Sequence, residues 1–332
     1  MNTLIGELKN VLTGGTVIGP IGHPSQYRDQ DSKRGDPDRV MGRGDLMEFS
    51  RCPERWVKGY ESEETKATEW GDLVDVLFLT PDQFKSRYAV QPATYLTDGM
   101  ECPICKSITT SISCKKCKTQ RVPIRIEKDW NSNADECSNW ESGQVGKTIV
   151  KHKLFGPACD AVRVLNEYPG LKELKEGSEC QVMATASYQD EETGIVVPLK
   201  ILIDLLPDKT SPWGKWIIDL KTTDSAAMRP WRSKVFKFNY DAQAAFYLDV
   251  WEAATGEDRQ DFKHIVQESY SPYQTQLRLV SAEFLEIGRM KYQKALEFYC
   301  ACLSSGVWPG YDCECRTIDG WQLTEPEPWM VQ

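Results

Sequence analysis

Histidine is nearly missing from this chain. The three that occur in 332 residues, His23, His152 and His264, stand far apart and make no histidine-based nuclease motif. There is no Gly-rich loop of the kind that cradles nucleotide phosphates, which argues against an NTPase. No run of eighteen apolar residues is present, so no membrane span is expected. The N-terminus lacks a basic patch followed by an apolar core, so no signal peptide is expected either. Positive charge is also in deficit: 40 Lys and Arg face 49 Asp and Glu, a formal net charge of −9. That deficit does not exclude a nucleic-acid partner, because metal-site carboxylates and an acidic outer surface both add negative charge. What matters is where the positive charge sits.

What is present describes a globular protein, with 40% apolar and 27% charged residues and enough length for one large domain or two ordinary ones. Twelve cysteines without secretory context read as reduced thiols and metal ligands, which places the chain in the cytoplasm.

The most informative stretch runs from Lys200 to Tyr247. Two short, mostly apolar runs, residues 201–206 and 216–220, flank a Pro- and Gly-containing turn, which predicts a hairpin of buried strands. Asp204 lies in the second half of the first run, and Asp219-Leu220-Lys221 closes the second. Burying two carboxylates and an ammonium is costly unless they pair or bind a metal. Alternation along a strand puts Asp219 and Lys221 on one face with Leu220 pointing away. The set reads as a divalent-metal site beside a general base or charge stabiliser. Farther on, Gln243 and Tyr247 lie four apart on a predicted helix and so share a face.

Asp204, Asp219-Leu-Lys221 and Gln243-Ala-Ala-Phe-Tyr247, in this order, resemble the PD-(D/E)xK nuclease superfamily in its RecB-like branch. Together with Asp190-Glu-Glu-Thr-Gly194 and Val307-Trp308-Pro309, they resemble the RecE-type exonucleases of phage and prophage recombination systems. The resemblance implies an α/β fold, a central mixed sheet flanked by helices in the restriction-endonuclease manner. It also implies Mg²⁺ (or Mn²⁺) held by Asp204, Asp219 and the Leu220 carbonyl, with Lys221 activating water or stabilising phosphorane charge and with Gln243 and Tyr247 lining the active site. Oxygen ligands suit those ions. Gly71-Asp-Leu-Val-Asp75 stands where relatives carry Gly-x-x-x-His, which makes Asp75 a further candidate ligand. The glutamate that relatives supply from the strand before the hairpin is assigned to Glu179, although the pattern falls nearer Met183 and Ala184. The resemblance further implies 5′→3′ digestion of linear duplex ends, leaving 3′ single strands for an annealing protein, by a ring-shaped homo-oligomer.

Cys102-Pro-Ile-Cys105 and Cys114-Lys-Lys-Cys117 have the spacing of two zinc knuckles on a hairpin, a closed structural Zn²⁺ site. From Cys102 to Lys128, seven Lys or Arg face one Glu, a local charge of +6. Lys106, Lys115, Lys116, Lys118 and Arg121 are therefore candidate phosphate contacts on this inserted module, residues 100–128. A solvated loop remains the plainer account of the charge. Cys52, Cys300, Cys302, Cys313 and Cys315 invite comparison with iron–sulfur nucleases, but the two Cys-x-Cys spacings are wrong for that arrangement.

The remaining expectations concern organisation. Residues 1–40 read as a mobile arm with a short helix over 2–12, residues 41–310 as the nuclease domain and 311–332 as a tail. Residues 129–145 read as a polar linker, and 147–167 as a helix broken at Pro157. Asp45, Asp241 and Ser281 are expected helix caps. A RecB-like endonuclease, a CRISPR-adaptation type nuclease and a non-enzymatic zinc module that binds DNA stand as alternatives.

Overall fold

The computed structural model describes residues 12–22, 25–28, 32–60, 65–311, 317–318 and 321–322. Its principal elements, in chain order, are β1 (Leu12–Pro20), β2 (Met41–Gly42), α1 (Arg43–Arg51), α2 (Lys66–Leu79), β3 (Thr94–Glu101), β4 (Val122–Asp129), α3 (Asp135–Ser142) and α4 (His152–Glu167). There follow β5 (Ser178–Gln189), β6 (Val196–Pro207), β7 (Trp216–Thr223), α5 (Met228–Lys237), α6 (Tyr240–Thr255), β8 (Asp261–Glu268), β9 (Thr275–Leu279) and α7 (Ala282–Ser305).

A seven-stranded mixed sheet organises the molecule, in the order β1-β5-β6-β7-β8-β9, with β2 paired to β6. Within this sheet β7–β8 and β2–β6 are the parallel pairs, and the other pairs run antiparallel. Alternation along the strands feeds two separate cores. Val182, Ala184, Leu199, Ile201 and Ile203 face α1, α6 and α7, whereas Ile218, Leu220 and Ile265 face α2 and α4. Helix α6 is apolar almost all round and buried on nearly every side, as a helix wedged between sheet and outer helices must be. Gly288 of α7 permits the closest approach there: a Cβ would stand 2.1 Å from the Asp241 carbonyl oxygen. Asp249 of α6 ties the same pair together by accepting from Arg289 at 2.8 Å and from the Tyr292 hydroxyl at 2.7 Å.

Several expectations change. Residues 12–20 are not a mobile arm but an edge strand, paired antiparallel with β5 from Leu12↔Tyr188 to Pro20↔Val182. Its signal was hidden because most of it is exposed and two register shifts interrupt it. Gly15 lies so close to β5 that a Cβ would meet the Thr185 carbonyl oxygen at 2.2 Å. The helix expected over residues 2–12 falls outside the described residues except for Leu12, as does nearly all of the tail. Residues 135–142 form α3 within the expected linker; only Cys137 is buried in it, so no apolar period marked it. Trp140 on α3 packs edge-on against Trp130, 5.3 Å between rings. Residues 148–150 are a short strand, and α4 runs through Pro157 unbroken because Ala158, Ala161 and Leu165 hold it in the core.

Capping follows the sequence at one end and departs at two. The Ser281 hydroxyl accepts from the Phe284 N–H at the start of α7. Asp45 instead sits in the first turn of α1 and accepts from Arg39 and from Trp56 Nε1. Asp241 is fully buried and pairs with Lys291 at 2.7 Å, while Asn239, in the left-handed region, begins α6.

Candidate active site

One cavity of about 370 Å³ opens where α1, α2, β5, β6, β7 and α6 meet, and residues from all six line it. Strand β7 contributes Asp219 and Lys221, whose carboxylate and ammonium are 2.5 Å apart. Leu220 between them points into the opposite core, as alternation requires. From β6, Asp204 accepts the Leu220 N–H at 2.9 Å and so is fixed against the neighbouring strand. From α2 comes Asp75. Gly71, one turn earlier, lets α2 lie against β7: a Cβ there would be 3.3 Å from Thr222 Oγ1.

Gln243 and Tyr247 approach from α6. Gln243 is 2% exposed and donates through Nε2 to Asp219 Oδ1 at 2.6 Å. Its Oε1 accepts from Arg43 at 3.0 Å, so both ends of the amide are held. Arg43 was not legible in the sequence, since a lone arginine at a helix start carries no signal. Arg87 and Asp72 also line the cavity without having been foreseen. Tyr27 does too; beneath it the buried Lys200 ammonium donates to the Tyr27 carbonyl at 2.6 Å and sits 4.3 Å from its ring.

Glu179 does not belong to the site. It is exposed, pairs with Leu206 at the start of β5 and does not line the cavity, whose nearest wall residue on that strand is Gln181. Met183 and Ala184 are fully buried in the core. The residue of β5 that faces Asp204 is Gln181, which donates from Nε2 to Asp204 Oδ1 at 2.9 Å. Its φ of 54° is unusual for a side chain other than glycine and marks a kink in the strand at the cavity wall. A search for a carboxylate passes over an amide.

The electrostatics follow from crowding. Burial, with Asp219 nearby, raises the pKa of Asp204 to about 7. Asp75 is also raised well above the carboxylate range, by burial first and then by Asp204. Burial works against the Lys221 ammonium, but Asp219 and Asp204 outweigh it and hold its pKa above the ordinary lysine value. His264 neighbours Asp219 across the β7–β8 pair. Burial lowers its pKa to about 4, so it is neutral, and Trp231, Phe262 and Tyr240 surround its ring.

The family model described as a PDDEXK-like domain of unknown function (DUF3799) matches residues 45–320. The chain belongs to that family. It thereby falls within the PD-(D/E)xK nuclease superfamily. Among solved structures, the chain is similar to a protein from Eubacterium rectale described as a "putative exonuclease". The two share 17% identity over 93% of this chain and 97% of the other, with a TM-score of 0.53, a likeness of fold. No curated protein matches the sequence.

This PDDEXK-like chain carries a second polar centre on an arm. Strands β3 and β4 pair along their whole length, from Thr94↔Asp129 to Glu101↔Val122, and the arm therefore starts several residues before the predicted module. At its tip Cys102, Cys105, Cys114 and Cys117 place their sulfurs within 4.8 Å of one another. The Cys105–Cys114 sulfur separation is 3.7 Å. A tetrahedron with Zn–S of about 2.3 Å puts its sulfurs about 3.8 Å apart. The knuckles repeat one geometry: Lys106 donates its N–H to Cys102 and Lys118 to Cys114, each in the left-handed region. Without a cation the four thiols compete for charge: hydrogen bonds from Ser107 lower Cys105 to about 6, and the Cys105 sulfur pushes Cys117 up to about 12.

Lys106, Lys115, Lys116 and Lys118 are exposed around this tip. Arg121 is not available for phosphate. It is 7% exposed and donates to the Ser107 carbonyl and hydroxyl, which staples one knuckle to the other. Among the described residues these four are the cysteines whose sulfurs converge on one point. Cys52, Cys300 and Cys302 are buried thiols outside it, and Cys313 and Cys315 lie beyond the described residues.

Proposed function

We propose that this chain is a metal-dependent deoxyribonuclease that degrades linear duplex DNA from its ends. The observation that carries the reading is the joining of Asp204, Asp219, Lys221, Asp75, Gln243 and Tyr247 in one cavity. Asp204, Asp219 and Asp75, with the Leu220 carbonyl, would hold Mg²⁺ or Mn²⁺. The donor set fits: carboxylate oxygens suit hard cations, and burial first and neighbouring carboxylates second disfavour the charged forms of Asp204 and Asp75, a cost that a bound cation relieves. Such an ion supplies Lewis acidity to the phosphoryl oxygens and lowers the pKa of water.

The chain's own groups do the rest. Gln243 fixes the Asp219 carboxylate through the amide that Arg43 orients. The Leu220 N–H and Gln181 fix Asp204. Lys221, held cationic by its neighbours, serves as donor, orienting the attacking water and countering the charge of the phosphorane. Tyr247 closes the wall beneath, its hydroxyl kept protonated by burial. The exposed lysines of the arm supply phosphate contacts around a structural zinc ion.

The RecE-like resemblance extends the proposal to 5′→3′ polarity, a homo-oligomeric ring and 3′ single strands passed to an annealing protein. The test is duplex DNA labelled on one 5′ or one 3′ end, digested alongside a closed circle. Early release of the 5′ label from linear DNA with the circle intact is the expected result. Early loss of the 3′ label would reverse the polarity, and a cut circle would move the chain to the endonuclease reading.

A further inference from the structure

Helix α5 and the turn after it link β7, which bears Asp219 and Lys221, to α6, which bears Gln243 and Tyr247; no α5 residue lines the cavity, but the turn meets its wall where cavity-lining Arg43 reaches the Phe238 carbonyl. From Met228 to Tyr240 the sequence holds four basic residues, Arg229, Arg232, Lys234 and Lys237, and no acid, in a chain of net charge −9. Lys234 is engaged with Asp224 and Thr223. Arg229, Arg232 and Lys237 are exposed and have no carboxylate partner among the described residues. Trp231 and Val235 anchor the helix in the core.

The exposed side of this segment is aromatic as well as basic. Phe236 is 63% exposed and Phe238 41%, positions where burial cannot account for a phenylalanine. Lys291 stands 4.2 Å from the centre of the Phe236 ring and Lys237 5.4 Å from that of Phe238. From Phe238 the rings continue inward: Tyr240 is 5.7 Å away, and the Lys221 ammonium lies 5.3 Å from Tyr240. Arg43, which orients Gln243, donates to the Phe238 carbonyl at 3.3 Å. An aromatic path with cations along it therefore runs from solvent to the catalytic lysine.

We infer that α5 and the turn after it form a platform for single-stranded DNA, on which Phe236 and Phe238 stack bases while Arg229, Arg232 and Lys237 bind phosphates. Bases in a duplex are already stacked on each other, whereas those of a lone strand offer their faces to aromatic side chains. The inference rests on the nuclease reading and names the part of the substrate that occupies the cavity's rim, a strand separated from its complement.

The test measures fluorescence anisotropy of a labelled oligothymidylate, in buffer without added divalent metal, with the wild-type chain, Phe236→Ala, Phe238→Ala and Phe238→Trp. An abasic strand of equal length and a closed hairpin duplex serve as comparisons. Alanine at either position should weaken oligothymidylate binding about tenfold, leave the abasic strand within about twofold and spare the duplex, since stacking needs exposed bases. Phe238→Trp should restore binding. Replacing Arg232 or Lys237 by alanine should lower the salt dependence by about 0.7 in log–log slope for each phosphate no longer neutralised. Equal melting temperatures establish that the variants fold. Unchanged oligothymidylate binding in the alanine variants of a chain that still cleaves DNA would overturn the platform alone. Unchanged binding together with a shift in oligomeric state would reassign the surface to a protein interface and overturn it as well. Absence of both cleavage and binding in the wild type would remove the platform and the nuclease together.

Discussion

Asp204 shows how one side chain links chemistry to stability. In the unfolded chain its pKa is that of an ordinary carboxylate, and in the folded chain it is about 7. Between these values the folded state binds more protons than the unfolded state, so this group's contribution to stability falls as pH rises from about 4 to about 7. Asp204→Asn should therefore melt higher than wild type at pH 8 without divalent metal, and the gap should close toward pH 4. Mg²⁺ should raise the wild-type melting temperature at pH 8 and do so far less for Asp204→Asn, because binding to the folded state stabilises it by mass action. Thermal melts at the two pH values, with and without Mg²⁺, check both. An Asp204→Asn chain no more stable than wild type at pH 8 would contradict the crowding described here. At this scale the sequence was legible where chemistry is restricted. Two carboxylates and a lysine on apolar strands have few other uses, and Gln243 with Tyr247 shares a helix face. Gln181 and Arg43 escaped notice because an amide and a surface-type arginine are common everywhere, and only the fold brings them to the carboxylates.

Among the elements, the arm formed by β3 and β4 is the most independent. It joins neither main core, and the four thiols at its tip substitute for apolar burial. Metal analysis of the purified chain should find about one zinc ion per molecule. Cys105→Ser or Cys117→Ser should lose that zinc and expose the amides of residues 102–121 to hydrogen exchange, while β5, β6 and β7 stay protected. A metal-free chain whose arm tip remains protected would refute the zinc assignment. The knuckles could be read in the sequence because a Cys-x-x-Cys turn is a local motif. The role of Arg121 could not, because its count as a positive charge conceals that it is buried between them. Strand β1 and helix α3 were missed for a related reason: neither buries a periodic apolar face, and such a face is what makes an element visible before folding.

The described residues form a mixed sheet with a core on each face and a polar cavity where β5, β6 and β7 meet α1, α2 and α6. Among the described residues no helix is long and apolar enough to cross a membrane. Fold class followed from the resemblance that the ordered motifs carry, not from secondary-structure patterns. The central claim is that the cavity hydrolyses DNA with a divalent metal. Its most direct test is degradation of linear duplex DNA by wild type, Lys221→Ala and Asp219→Asn, each with Mg²⁺ present or omitted. The account predicts cleavage by wild type only when Mg²⁺ is present, and a loss of at least about a hundredfold in both variants. Undiminished cleavage by either variant, or intact DNA in every reaction with wild type, would contradict it.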